Sequence, residues 1–582
     1  MTMSVLVKQA VTEIRKAIMD AAGRAVADGE FPECPLSDFI IEVPANKANG
    51  DYSSNAAMAW ARDLHKAPRA IAQTLADRLI LDGTFVARAE IAGPGFMNFY
   101  LDDTFNACIV EDVLEKGENY GRSDYGAGQK INVEFVSANP TGPMHMGNAR
   151  GGATGDCLAS VLEAAGYEVS REFYVNDAGN QIEKFGLSLD IRYQQIYLGE
   201  NAPELPEDSY HGDDIKERAR EFAAEYGDSY ISKPEAERRK VLIDFALPKN
   251  IAAMKVNMEK YRIHYDTWFL ESTLHNDGEL AETVQILKDR GLTYEKDGAL
   301  WYKNSQILAD RLRKNGKSEE EIERLELKDE VLIRQNGNPT YFAADIAYHR
   351  NKFARGFDRA IDCWGADHHG HVARMKGALD AVGLDGDKLD IVLFQLVNLK
   401  KDGQNVKMSK RTGKAITLTD LLDEIPIDAV RFFFNTREPG SPIDFDLDLA
   451  ISQNSENPVY YCQYAHARIC SILRKLEEEG KSVRKCEFNE LMLLKEDEEK
   501  ELIRHLASYT DEIISAAKNY DPAKITRYAV ELATLFHKFY NACRVKCEDE
   551  SLMQARLSLC LAVKTVLSNI LTMFSITVPE SM

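Results

Sequence analysis

The sequence predicts a multidomain protein. A doubly wound parallel α/β domain (residues 121–454) is expected between a small α+β domain (1–120) and an all-α domain (455–582). Two observations predict the central domain: a strand–loop–helix–strand order over 130–175 and a late apolar strand at 391–399. From about residue 455 the apolar residues recur at helical spacing. A chain of 582 residues has room for about three to five domains.

The best-defined element is the strand–loop–helix at 130–166. Ile131 and Val133 alternate with polar residues, as in a strand, and glycines and prolines then interrupt regular structure. From Gly147 the small and apolar residues recur at helical spacing. A helix that starts beside a strand end presents unpaired N–H groups to phosphate, and His145 at the junction can direct a donor there. A glycine-rich helix packed on a sheet gives the same pattern.

A second stretch, residues 400–414, is strongly basic in a chain of formal charge -22. It reads KKDGQNVKMSKRTGK, in which six basic residues face one acid, Asp402. Such a loop could close over a polyphosphate, with each lysine acting as a point charge. A solvated basic turn is the alternative.

Together the two stretches resemble the signature pair of class I aminoacyl-tRNA synthetases. His145-Met146-Gly147-Asn148 is similar to the first motif, with Asn148 in place of a second histidine, and Lys407-Met408-Ser409-Lys410 matches the second. The resemblance implies a Rossmann-like catalytic domain that binds ATP with Mg²⁺. It implies four catalytic residues: His145, Asn148, Lys407 and Lys410. It implies ATP contacts from Gly142, Pro143, His145, Gly147, Asn148, Asp367, His369, Val406, Met408 and Ser409.

Composition narrows the class of protein. Hydrophobic residues make up 45% and charged residues 28%, and no apolar run approaches the roughly 18 residues of a membrane span. The N-terminus lacks the apolar segment of a signal peptide. The ten cysteines are scattered without metal-site spacing, so reduced thiols in a cytoplasm are expected. The net negative charge argues against nonspecific binding of nucleic acid. It still allows a local basic surface that binds one structured RNA.

Residues 1–120 are expected to form a separate domain. An amphipathic helix at 6–27 is followed by GDYSSN at 50–55 and GPGFMNF at 93–99, both of which also suit simple turns. These stretches resemble the extra N-terminal domain of arginyl-tRNA synthetases. The resemblance implies tRNA contacts, with hydrogen bonds or base stacking from Asn46, Asn49 and Tyr52.

The catalytic region continues with a strand at 168–175. The sequence YVNDAGNQ at 174–181 also resembles arginyl-tRNA synthetases, at the rim of the pocket. Residues 190 to about 325 are charged and mostly helical by periodicity. We expect them to be helical material inserted between the two halves of the sheet.

The stretch PTYFAADIAYHR at 339–350 predicts a helix with Tyr341 and Asp345 on one face. An aromatic residue and an acid are common at helix starts. The stretch also resembles the arginine-binding helix of arginyl-tRNA synthetases, and a planar guanidinium suits a bidentate carboxylate with an aromatic neighbour. The resemblance adds four further arginine contacts: Glu134, Ser137, Asn139 and His368.

The sequence WGADHHGH at 364–371 places three histidines within four positions. No fourth metal ligand beyond Asp367 is evident, and we expect no structural metal. We expect this segment to face the substrate or the nucleotide instead.

The C-terminal region is predicted to be all-helical. The sequences NPVYYCQYAHAR at 457–468 and HKFYNACRV at 537–545 could be ordinary bundle core. They resemble the anticodon-binding domain of arginyl-tRNA synthetases, in which aromatic and basic side chains hold unpaired bases. The resemblance implies tRNA contacts from Tyr464, Arg468, Tyr540, Arg544 and Met582.

The resemblance covers nearly the whole chain and indicates a bacterial-type arginyl-tRNA synthetase. It implies that arginine attacks the α-phosphate of ATP, and that the tRNA terminal hydroxyl then takes the arginyl group. The expected partners are L-arginine and tRNA(Arg), for a cytoplasmic monomer with no membrane contact. Three alternatives stay open: another class I synthetase, a small-molecule nucleotidyltransferase, and a non-catalytic tRNA-binding paralogue.

Overall fold

The structure, a computed structural model, describes residues 4–406, 416–481 and 483–582. Its N-terminal domain is an antiparallel sheet covered by helices. The elements are α1 (Val5–Ala27), β1 (Ile41–Glu42), β2 (Tyr52–Ser54), α2 (Ala56–Ala59), α3 (Pro68–Ala76), β3 (Val86–Ala92), β4 (Phe96–Leu101) and α4 (Asp103–Lys116). The strand order is β1-β2-β4-β3. Ile14 and Ile18 of α1 are buried, as its helical periodicity predicted.

The middle of the chain builds the central domain. Its first fifteen elements are β5 (Lys130–Glu134), α5 (Met146–Ala164), β6 (Glu168–Val175), α6 (Asn180–Leu198), α7 (Asp213–Tyr226), α8 (Glu235–Lys260), β7 (Thr267–Leu270), α9 (Glu271–Asn276), α10 (Glu279–Asp289), β8 (Thr293–Lys296), β9 (Ala299–Tyr302), α11 (Asn304–Lys314), α12 (Glu319–Glu323), β10 (Glu330–Ile333) and α13 (Tyr341–Ala354). The remaining elements are β11 (Arg359–Gly365), α14 (His369–Ala381), β12 (Leu389–Phe394), β13 (Val397–Lys401), β14 (Gln404–Val406), α15 (Leu418–Glu424), α16 (Ile427–Phe434), β15 (Ile443–Asp446) and α17 (Leu447–Ile451).

Five strands form the central sheet in the order β12-β11-β5-β6-β7, and every neighbouring pair is parallel. The chain winds outward from β5 through β6 to β7, and then returns to the other side of β5 with β11 and β12. The sheet is therefore doubly wound, as predicted. The winding direction reverses beside β5, and ligands of such sheets bind at the carboxyl ends of the strands at this point. The first motif follows β5 directly.

Two details of the sequence prediction need correction. The segment 190–325 is not only a helical insertion, because β7 is an edge strand of the central sheet and β8 and β9 form an antiparallel hairpin against β10. These strands have four residues each, too few to show a period. The apolar run 391–399 is likewise two strands. β12 ends the central sheet, while β13 lies in a small sheet ordered β14-β13-β15.

The C-terminal domain is helical, as predicted. Its helices are α18 (Pro458–Glu478), α19 (Phe488–Leu491), α20 (Asp497–Ala507), α21 (Tyr509–Asn519), α22 (Ala523–Ala542) and α23 (Glu550–Met573). Among the described residues, α23 alone is long and apolar enough to cross a membrane, and 61% of its apolar window is buried in the protein, as in the core helix of a folded domain. The N-terminal helix α4 packs against α20 and α23, and Lys500 pairs with Asp103 at 2.9 Å across that contact.

Candidate active site and tRNA-binding surfaces

The chain leaves β5 through two residues with left-handed backbone angles. Val136 has φ 71° and Ser137 has φ 44°, and non-glycine residues pay about 1–3 kcal/mol for such angles. The Ser137 hydroxyl donates to Glu134 Oε1 at 2.8 Å and accepts from the Tyr174 N–H at 3.1 Å. The loop is therefore fixed to both β5 and β6 before it reaches the first motif.

His145 is the N-cap of α5. Its Nδ1 accepts from the Gly147 N–H at 3.1 Å, and its own N–H donates to Asn148 Oδ1 at 3.0 Å. Burial lowers the pKa of His145, so the ring is neutral near pH 7 and carries its proton on Nε2, a donor for a ligand. Asn148 closes the cap with its oxygen and keeps its amide N–H groups for other acceptors. Asparagine in place of the motif's second histidine thus retains a donor at the helix start.

A cavity of about 480 Å³ opens at this end of β5. The predicted residues Ser137, Asn139, Gly142, Pro143, His145 and Asn148 all line it, and so do Tyr210, Gly212 and Asp214. The last three lie at the start of α7, in the charged segment where sequence reasoning assigned no function. Nothing in their local pattern distinguishes them from a solvated helix start, because only the fold brings α7 over the cavity.

The second motif, Lys407-Met408-Ser409-Lys410, lies outside the described residues. Its flanks are described. The Met146 N–H donates to the Ile416 carbonyl at 3.2 Å, and the Leu418 N–H donates to the Met144 carbonyl at 2.9 Å. Val406, the last residue of β14, precedes the motif directly. The residues that follow the basic loop are thus hydrogen-bonded to the first motif itself.

Tyr341 and Asp345 lie one turn apart at the start of α13, on the same face. Asp345 Oδ2 is 3.2 Å from His371 Nε2 on α14. The Tyr341 ring is 38% exposed and lines a second cavity, of about 280 Å³. The predicted contact His368 is instead exposed and is 3.6 Å from Asp367. The histidine beside Asp345 is therefore His371, one helical turn further along the chain.

A second acid, Glu271, lines the cavity with Tyr341. Glu271 follows β7 directly and is 3% exposed, and the Tyr174 hydroxyl donates to its Oε2 at 2.7 Å. Burial raises the pKa of Glu271, the hydrogen bonds from Tyr174 and His275 oppose the rise, and the charge of Asp345 adds to it. Sequence reasoning missed Glu271. Its signal is an acid at the carboxyl end of a four-residue strand that has no detectable period.

Glu134, expected in the arginine pocket, has a different partner in the structure. It is 7% exposed, and its Oε2 lies 2.5 Å from Lys352 Nζ. Lys352 is fully buried and also bonds Asp362 at 2.7 Å, and Asp362 bonds His349 at 2.6 Å. Although burial opposes it, Lys352 and His349 lower the pKa of Asp362 to about 2. Burial raises the pKa of Glu134, and Lys352, which it shares with Asp362, offsets part of that rise, so Glu134 is not a free carboxylate for a guanidinium.

The histidine-rich segment 364–371 contains the end of β11 and the start of α14. Asp367 lies in a single 3-10 turn, and His369 starts α14 with an exposed side chain. Among the residues that the structure describes, no three His, Cys, Asp or Glu side chains are placed to hold a metal ion.

Comparison with known proteins decides the family. The model of the "tRNA synthetases class I (R), catalytic domain" matches residues 109–438, the arginyl tRNA synthetase N terminal domain matches 9–101, and the DALR anticodon binding domain matches 462–582. The arginine–tRNA ligase of Ruminiclostridium cellulolyticum is 54% identical over 98% of each chain. The chain belongs to the arginyl-tRNA synthetases. The arginine–tRNA ligase of Caldanaerobacter subterraneus is 53% identical, over 99% of this chain and 100% of that one.

The fold agrees with this family. The arginyl-tRNA synthetase of Thermus thermophilus superposes with a TM-score of 0.69 over 98% of this chain and 100% of that chain, at 23% identity. The predictions of an arginyl-tRNA synthetase and of its three-part architecture are thereby confirmed.

In this synthetase the C-terminal helices bring four of the five predicted tRNA residues to one surface. A cavity of about 450 Å³ is lined by Tyr464, Arg468, Tyr540 and Met582, together with Arg474 and Lys475. The Arg468 guanidinium lies 4.5 Å from the centre of the Tyr540 ring. Aromatic faces and cations side by side suit an unpaired base and its phosphate. Arg544 is exposed but does not line this cavity.

The three residues of the N-terminal domain that are predicted to contact tRNA differ in how far they are exposed. Asn46 and Asn49 are exposed around a short 3-10 turn, where they can reach an RNA. Tyr52 is 8% exposed, and burial raises the pKa of its hydroxyl. The predicted tRNA contact of Tyr52 stays a prediction, and the structure leaves little of its side chain exposed for a base. Its aromatic ring belongs to the domain core, because β2 lies inside the four-stranded sheet.

Proposed function

We propose that the protein charges tRNA(Arg) in the cleft between the first motif and two acids, Glu271 and Asp345. These two are called the uncompensated acids, because no described lysine or arginine lies within 4.0 Å of them. Arginine attacks the ATP α-phosphate to give arginyl-adenylate and pyrophosphate, and the 3′-terminal hydroxyl of the tRNA then attacks the activated carbonyl. No covalent enzyme intermediate is needed, so catalysis is positioning plus charge stabilisation. The observation that carries the proposal is the bonding of the basic loop's flank to Met144 and Met146, beside His145.

The nucleotide occupies the larger cavity. His145 Nε2–H and the Asn148 amide donate to the α-phosphate, and Gly142, Pro143 and Gly147 let the nucleotide approach the backbone. Val406, Met408 and Ser409 shape the loop that closes, Lys407 and Lys410 neutralise pyrophosphate, and Asp367 and His369 reach the nucleotide from α14. Mg²⁺ arrives with ATP as part of the substrate.

Arginine lies with its amino group at Ser137 and Asn139 and its guanidinium at Asp345. Glu271 takes the place of Glu134 as the second acid, because Glu271 is buried without a cation and a guanidinium would supply one. Tyr341 covers the planar group, and His371 rather than His368 adjoins it. Glu134 orients Ser137 through its 2.8 Å hydrogen bond.

The tRNA spans the monomer. Its anticodon lies on the cavity of Tyr464, Arg468, Tyr540 and Met582, with Arg544 outside that cavity, and its outer corner lies on Asn46 and Asn49. The enzyme works in the cytoplasm. Its catalytic domain begins at about residue 120 and ends at about residue 455.

The test is aminoacylation of tRNA with each of the twenty amino acids, followed by one matched pair of variants. Lys410→Ala should slow adenylate formation far more than it raises the arginine KM, because its charge acts on the leaving pyrophosphate. Lys401→Ala is the control, because Lys401 lies on β13 and is 3.9 Å from Glu424. Charging of another amino acid, or equal losses in the two variants, would refute the assignment.

A further inference from the structure

Arg150 is a buried cation that the reaction scheme above does not use. It lies one turn along α5 from His145, and its side chain is 1% exposed. Its guanidinium donates to four backbone carbonyls. They belong to Gln395 at 2.7 Å, Ser441 at 2.8 Å, and Glu438 and Pro439 at 3.1 Å each.

These carbonyls mark the junction between the two sheets of the catalytic domain. Gln395 is the residue at which the chain leaves β12 of the central sheet and enters β13 of the small sheet. Residues 438–441 lead into β15, which pairs with β13 from Val397↔Ile443 onward. β13 continues through β14 to the second motif, which starts at Lys407. One side chain on the first-motif helix therefore holds the chain where it enters β13 and β15, and the hairpin of β13 and β14 ends at Val406, directly before the second motif.

The charge of Arg150 has no acidic partner among the described residues. Over the residues that the structure describes, no carboxylate lies within 4.0 Å of its guanidinium, and burial lowers the pKa of Arg150 to about 10. Arg431, which is also fully buried, pairs with Asp156 and donates to the Phe574 carbonyl. Burying an unpaired cation lowers stability compared with an apolar side chain of the same volume. A planar guanidinium that bonds four carbonyls instead fixes the angle between the first-motif helix and the small sheet. A lysine ammonium, which acts as a single point charge, cannot do this.

We propose that Arg150 is a positioning residue: it sets the small sheet against the first-motif helix, so that the basic loop meets ATP at His145. It contacts no residue of the arginine pocket, so it acts on the ATP-dependent step and not on arginine binding. This inference rests on the proposed function of the same cleft.

The experiment compares Arg150→Lys and Arg150→Met with the native enzyme, using Arg431→Lys as the matched buried control. Rates of aminoacylation are divided by the folded fraction from near-ultraviolet circular dichroism. Arg150→Lys should lower kcat about 10- to 100-fold and raise the ATP KM, because a misplaced catalytic loop costs rate at that scale. The arginine KM should stay within about 2-fold, because the pocket is untouched. Arg150→Met should lower kcat further. Arg431→Lys should lower the melting temperature while its kcat per folded molecule stays near native.

Three results would overturn the proposal. One is a kcat of Arg150→Lys within about 2-fold of native per folded molecule. Another is an arginine KM that rises in proportion to the loss of kcat. The third is failure of both Arg150 variants to fold, which would make the guanidinium part of the folding core. A native protein that does not charge arginine would instead refute the proposed function, which the native control reports separately.

Discussion

Two pairs of acids in the catalytic domain differ in what balances their charge. Glu134 and Asp362 share the buried Lys352. Among the described residues, the only basic side chains within 4.0 Å of Glu271 and Asp345 are histidines, at 3.5 Å and 3.2 Å, and the Tyr174 hydroxyl also donates to Glu271. No lysine or arginine of the described chain lies within 4.0 Å of the second pair. We therefore propose that the pair with its cation is structural and that the pair without one is the site for a cationic ligand.

The largest effect is expected when Glu134 and Asp362, the compensated pair, lose the lysine that they share. Lys352→Met should lower the free energy of unfolding of the catalytic domain by about 3–5 kcal/mol, because it leaves two buried acids without a cation. Urea denaturation of the two proteins measures it. Lys388→Met, at an exposed position, is the control and should stay within about 0.5 kcal/mol. A loss as small as the control's would show that Lys352 does not hold the pair.

The second-largest effect is expected on the arginine KM when Glu271 or Asp345, the uncompensated pair, is changed. Asp345→Asn and Glu271→Gln should each raise the arginine KM about 10- to 150-fold, because each removes a charge-assisted hydrogen bond worth about 1.5–3 kcal/mol. Neither change should lower stability, because each removes a charge that lacks a cation. Aminoacylation kinetics and thermal melts measure the two quantities. Glu183→Gln is the matched control: this acid lines the same cavity but is exposed, and its variant should bind arginine normally. Equal arginine KM values for Glu271→Gln and Glu183→Gln would contradict the assignment.

The smallest effect sharpens the comparison with a third acid, Asp511, which lies outside the proposed binding sites. Burial raises the pKa of Asp511, on α21, from 3.8 to about 6. A raised folded-state pKa stabilises the protonated protein, so this contribution is complete below pH 3.8 and is lost as pH rises through about 6. Asp511→Asn should therefore add about 1 kcal/mol of stability at neutral pH and flatten the pH dependence of melting between about pH 5 and 7.

Melting curves of the two proteins across that pH window test this expectation. Glu548→Gln, at an exposed acid, is the control. If the melting temperatures of the native protein and Asp511→Asn change with pH in parallel, burial does not destabilise the charged form of Asp511.

The architecture was readable from the sequence because long periodic elements carry their own signal. The strand at Glu168–Val175 and the helix after His145 were both predicted, and both position the site. The short strands β7 to β9 were not, because four residues do not define a period.

The limits at the site have a different cause. Residues next to a motif could be named, and Asn139, His145 and Asn148 do meet in one cavity. Partners that are distant in sequence could not be read. Lys352 lies 218 positions from Glu134, and Arg150 lies 245 positions from Gln395. Such contacts follow from tertiary packing, which local spacing does not encode.

The most direct test of the uncompensated pair is the proton balance of arginine binding. Burial raises the pKa of Glu271, and a bound guanidinium should lower it again, so binding at mildly acidic pH should release protons. Calorimetric titration of arginine in two buffers of different ionisation enthalpy measures that release. We expect net release from the native protein and little from Glu271→Gln. A heat of binding that is the same in both buffers for the native protein would contradict a guanidinium site at Glu271.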